Sequence, residues 1–318
     1  MDVKKFLVVL AAGTVFFGQP SISEANDGTL YGGSSSLENY VLEMNRRHQE
    51  EQDRAWERQM EEGFNFFVAE ADKFYADKNY SAAIESYDRA KQRKPKQLYK
   101  FYNNLVKNGD ALNAQGNYSA ALDYYKKATI MYPLENNCRS KLWKTYFQTK
   151  NFDDAVSIYK AISTVYPEDK SAWFWLARYH SQLNDYENAV SAYTRTLKLD
   201  PNYALAYCYR GKSYYNMKRY EQAIKDFDNK IKLEPEANDY DWRGKSYHNL
   251  KQYERAIKDY TKAVKLDPND DFAYYNRGVA YEQLKKYKKA LEDYQQVLKL
   301  NPNNSDAQKG IERVSKMK

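Results

Sequence analysis

The chain has 318 residues and carries 50 Lys and Arg against 43 Asp and Glu, a formal net charge of +7. That length would ordinarily divide into two domains, unless one unit repeats and the molecule grows in one dimension. With two cysteines and three histidines in no metal-ligand spacing, and no Ser/His/Asp set, the sequence offers no basis for an enzyme, a metal centre or a cofactor site.

Residues 1–25 read as an export signal. Lys4 and Lys5 precede an apolar run from Phe6 to Gly18, and Ser23 and Ala25 supply the small residues before a cleavage point. The run is shorter than the ~20 apolar residues that span a bilayer. The expected location is the bacterial periplasm or outside the cell, with an uncleaved N-terminal membrane anchor as the alternative. Residues 26–36, rich in Gly and Ser, are expected to form a flexible tether.

A charged helix is expected over 37–63. Ser35 and Glu38 suit a capping box, and Leu37, Tyr40, Val41 and Met44 form a short apolar stripe. Asn45 to Arg54 contains no apolar residue, so this part is expected to be solvated. Trp56 and Met60 return one turn apart and are expected to cap the first of the units that follow.

From Phe64 one pattern recurs about every 34 residues, in seven copies: 64–97, 102–135, 136–169, 170–203, 204–236, 237–270 and 271–304. Position 20 is always alanine: Ala83, Ala121, Ala155, Ala189, Ala223, Ala256 and Ala290. Position 24 is always a ring: Tyr87, Tyr125, Tyr159, Tyr193, Phe227, Tyr260 and Tyr294. Position 32 is always proline, from Pro95 to Pro302. Small residues at positions 8 and 20 let two helices cross closely, rings fill the seam, and proline ends the second helix. Much of the high tyrosine content, 32 residues, is thereby core filler.

Four extra residues, Leu98 to Phe101, fall between the first two copies and are expected to alter their stacking. Trp143 stands at position 8 of the third copy, where a small residue is expected. Gly211-Lys212-Ser213 and Gly244-Lys245-Ser246 imitate the end of a phosphate-binding loop, but Ala206 and Asp239 stand where its earlier glycine belongs. His180 takes an aromatic position and is expected in the core. Cys138 and Cys208, a whole copy apart, are expected to be free and partly buried. Residues 305–318 form a last helix with Ala307, Ile311 and Val314 on one face, a solvating cap.

This pattern resembles the tetratricopeptide repeat, W-x2-L-G-x2-Y, then A-x3-F, then P. The resemblance implies an all-α fold, a right-handed superhelical α-solenoid of about seven helix-turn-helix units, acting as a non-enzymatic protein-interaction scaffold. It also implies a ligand face on the concave side, at positions 2, 5, 6, 9, 12 and 13 of the first helix of each unit. In the third to sixth units position 9 reads Lys144, Arg178, Lys212 and Lys245, and position 6 reads Lys141, Trp175, Tyr209 and Trp242; Asn276 holds position 6 of the seventh. Such a ladder of cations beside rings suits an extended, acidic peptide or protein, since rings anchor and cations steer. An anionic glycan or other envelope polymer is the alternative, and export argues against nucleic acid. The family's carboxylate clamp for chaperone tails is not reproduced in any three successive units.

Charge is segregated along the chain. Residues 1–36 sum to −1, residues 37–62 to −4 and the remainder to +12. Either the basic array meets an acidic partner or anionic polymer, or the acidic helix occupies the groove.

Overall fold

A computed structural model describes residues 34–317, whose regular structure is helical throughout: fifteen helices and, among the described residues, no strand. The expected export signal and most of the expected tether lie outside the described residues. No described helix is long and apolar enough to cross a membrane.

The chain divides into two units, one ending at Arg58 and the other starting at Gln59. Helix α1 (Ser34–Ala76) begins in the first. Residues 38–58 are exposed throughout, and i,i+4 pairs such as Arg47 with Glu43 at 2.7 Å support the helix. Trp56, expected to act as a cap, is instead 61% exposed. Met60, one turn on, is partly buried and accepts from Arg93 at 3.6 Å.

In the second unit, consecutive helices make the repeat hairpins. The end of α1 precedes α2 (Tyr80–Arg93), followed by α3 (Pro95–Ala114) with α4 (Tyr118–Met131) and α5 (Asn136–Thr149) with α6 (Asp153–Val165). Next come α7 (Lys170–Gln182) with α8 (Tyr186–Leu199), α9 (Ala204–Asn216) with α10 (Tyr220–Leu233) and α11 (Ala237–Asn249) with α12 (Tyr253–Leu266). Helices α13 (Asp271–Gln283) and α14 (Tyr287–Leu300) close the series, and α15 (Ser305–Ser315) packs on α14.

All seven position-20 alanines are fully buried, and the position-24 rings are at most 2% exposed. Their packing explains the glycines. A Cβ built on Gly244 would lie 2.7 Å from the Tyr260 ring, and one on Gly109 would lie 2.6 Å from Tyr125. Gly211 faces Phe227 in the same way, so the imitation phosphate loops are helix crossings. Burial pushes the Cys138 and Cys208 thiols up to about 11, which leaves both protonated.

The extra residues after Pro95 lengthen α3, with the proline at its first turn where its missing N–H costs nothing. Here α2 packs on both α4 and α6. Tyr80 donates to Asp154 at 3.0 Å and Tyr166 to Asp88, ties that join the first hairpin to the third.

One feature of the turns escaped the sequence reading. Position 15 is left-handed in every unit, at Lys78, Gly116, Lys150, Asn184, Lys218, Lys251 and Lys285, with φ between 55 and 76°. It ends each first helix; for example, Lys218 N–H donates to Tyr215 O and Arg219 N–H to Tyr214 O, both at 2.8 Å.

The terminal helix is latched by charge. Arg313 of α15 donates to both oxygens of Glu282, which also accepts from Tyr294 at 2.8 Å. The Arg313 hydrogen bonds hold the Glu282 carboxyl below its usual range. A depressed carboxyl contributes stability above its unfolded pKa, about 4.3, and loses it as pH falls through the folded value. The Tm difference between wild type and Glu282→Gln is therefore expected to be full at neutral pH and to vanish in acid. An equal difference in acid would contradict the latch.

Candidate ligand groove

Helices α5, α7, α9 and α11 carry eight of the expected residues and α13 carries Asn276; ring–cation contacts join Trp175, Arg178, Tyr209, Lys212, Trp242 and Lys245, together with Trp143. Trp143 is half-buried and reaches the next hairpin, where it packs 5.4 Å from Trp175 and 5.2 Å from Tyr179. The buried inner face of α5 is made by Cys138, Leu142 and Tyr146.

From Trp143 onward, rings and cations alternate. The Arg178 guanidinium lies 4.3 Å from the Trp143 ring centre and 4.0 Å from that of Tyr209. Lys212 Nζ lies 5.4 Å from Tyr209 and 5.2 Å from Trp242, and Lys245 Nζ 4.9 Å from Trp242. Cations over ring faces are attracted by the ring quadrupole. The rings are braced in turn: Tyr209 stacks on buried Tyr193, and Trp242 stacks on buried Phe227.

The cations differ in what neutralises them. Lys141 is bound by Asp110 at 2.6 Å, and Lys245 by Asp241 at 2.6 Å. Asn276 also donates to Asp241, at 3.1 Å. Among the described residues, no carboxylate or other hydrogen-bond acceptor meets Arg178 or Lys212, which are half-buried, or Lys144, which is exposed. The ladder thus retains Arg178 and Lys212 without a carboxylate partner, and Lys144 is exposed.

Three other arginines of the array behave differently. Arg210, Arg243 and Arg277 each make a two-pronged bond to a carboxylate sixteen residues on, Asp226, Asp259 and Asp293, at 2.6–2.9 Å. Burial raises all three aspartate pKa values despite these partners. The sequence carried this signal, since positions 7 and 23 become Arg and Asp together in the last three units.

Past Lys245 the row meets a cleft of about 240 Å³ lined by Tyr215, His248, Asn249, Tyr275 and Asn276 among others. Burial lowers the His248 pKa, which keeps the imidazole neutral. His180, expected in the core, is half-buried with Nδ1 2.9 Å from Asp185, the residue that caps α8. Among the described residues no group of His, Cys, Asp and Glu could hold a metal ion.

Models of the tetratricopeptide repeat match residues 142–204, 177–241 and 272–304, and a TPR repeat model matches 244–285, together about half of the chain. The chain belongs to the tetratricopeptide repeat family. No curated protein matches it. Among solved structures it is similar to the APC/C hetero-tetramer Cut9–Hcn1, with 18% identity over 78% of this chain and 55% of that one, TM-score 0.51. It is also similar to MamA, at 22% identity over 51% of this chain and 95% of that one, TM-score 0.48. YrrB, a TPR protein with an unusual peptide-binding site, matches at 22% identity over 50% of this chain and 82% of that one, TM-score 0.46. At these identities the likeness concerns the TPR fold alone.

Proposed function

We propose that this TPR protein is a non-enzymatic scaffold of the cell envelope or extracellular space that holds an acidic, extended segment of a partner protein along its ring-and-cation row. The export signal over residues 1–25 supports the location. The observation that carries the binding role is Arg178, held between Trp143 and Tyr209 with no carboxylate of its own. A half-buried cation without a counter-charge is costly unless it attracts one, and rings on either side shield an incoming carboxylate from water.

The test is a peptide array probed with wild type and with the Arg178→Ala, Lys212→Ala double variant, after equal helicity has been verified. Glu- and Asp-rich peptides with interspersed apolar residues are expected to bind. Each lost charge-assisted hydrogen bond of about 1.5–3 kcal/mol should weaken binding at least about tenfold. Acidic peptides bound equally by both proteins would overturn the reading. Indifference to peptide sequence, with steep salt dependence, would instead favour the anionic glycan.

A further inference from the structure

The last hairpin carries a second basic surface, away from the ring-and-cation row. Lys285, Lys286, Lys288 and Lys289 surround Tyr287 and, with Met317, line an open cleft of about 900 Å³. All four lysines are exposed. Among the described residues none has an ion pair or a side-chain hydrogen bond; Lys289 only approaches the Tyr281 ring, at 5.6 Å.

One feature sets this cluster apart from an ordinary solvated face. The residue that follows the first tyrosine of the second helix is Ser81 in α2 and Ser119 in α4, then Glu187 in α8, Glu221 in α10 and Glu254 in α12, but Lys288 in α14. Acids are favoured in a helix's first turn by its dipole, so a lysine there is a local loss of stability. Positive charge is thus concentrated at a place where local folding preferences oppose it.

We propose that this surface docks the protein on an anionic lipid bilayer. Four exposed ammonium groups on one edge match a plane of phosphate headgroups, each contributing about 1 kcal/mol, a factor of about five. The half-buried Tyr287 and Met317, 49% exposed, add the aromatic and apolar contact that headgroup depth accepts. A soluble polyanion would gain nothing from Met317.

The test is co-sedimentation of the full chain with vesicles of phosphatidylcholine alone or containing about one third phosphatidylglycerol, a composition that supplies the anionic surface potential. Binding to neutral vesicles sets the baseline for any other membrane-active segment. Tighter binding to the anionic vesicles is expected, falling at least about a hundredfold when the four lysines become Gln. It is expected to weaken as salt is raised and to weaken further in Met317→Ser. Equal binding to both vesicle types, no loss in the Gln variant, or salt-insensitive binding of wild type would overturn the proposal. So would inorganic polyphosphate that binds as tightly as the vesicles, with Met317→Ser without effect, since a soluble polyanion would then be the ligand.

Discussion

Arg243→Ala is expected to destabilise the array by about 3–5 kcal/mol, because it strands a buried carboxylate. Asp259, whose side chain is 9% exposed, accepts two bonds from Arg243 at 2.6 and 2.8 Å, and Asp228 takes a third at 2.6 Å. Burial works against the Arg243 cation, but the hydrogen bonds to Asp259 outweigh it and hold the guanidinium pKa above its ordinary value. Removing the whole buried pair is a different matter. Arg243→Met with Asp259→Leu leaves no orphaned charge, and is expected to cost far less than either single change. Urea unfolding of the three proteins decides this. A single change that costs under about 1 kcal/mol would mean that water reaches Asp259 and that the pair behaves as a surface bridge.

The second large effect runs the other way. Replacing Lys78, Lys150, Lys218 and Lys251 together by glycine is expected to stabilise the protein by about 2–4 kcal/mol. Each lysine holds φ between 55 and 60°, where a Cβ costs roughly 1–2 kcal/mol. Glycine relieves that cost and gives back part of it, roughly 0.5–1 kcal/mol, through greater freedom of the unfolded chain. The four sites lie in different hairpins, so their effects should add. Gly116 already occupies the equivalent turn, at φ 76°. Thermal and urea unfolding of the quadruple variant measure the gain; an unchanged or lowered stability would show that the lysine side chains stabilise these turns by contacts stronger than the strain.

The hairpins were legible because their marks are steric and repeat identically. Ala256 meets no alternative at a helix crossing, and Gly244 lies where a Cβ would strike Tyr260. The left-handed turns were hidden because five of the seven carry lysine, which does not advertise positive φ as Gly116 and Asn184 do. The Arg243–Asp259 pairing left only a joint change at positions 7 and 23 as its signal, since positions sixteen apart face each other only once the helices cross. In the candidate groove, the row of cations could be read from the period, but not which were free. Asp110 and Asp241 stand at positions 9 and 5 of their own units, on the same face, and answer Lys141 and Lys245. Trp143 looked like a packing fault and instead supplies the first ring of the row.

We propose Arg178 as the groove cation open to an acidic ligand, whereas Arg210, Arg243 and Arg277 are each held by an aspartate. Side-chain Nε–H resonances of arginine report on each guanidinium separately, with the paired arginines as internal controls. On titration with a Glu-rich peptide, the Arg178 signal is expected to move saturably and the other three to stay in place. A peptide that binds while the Arg178 signal stays still, or that moves all four alike, would overturn this role for Arg178.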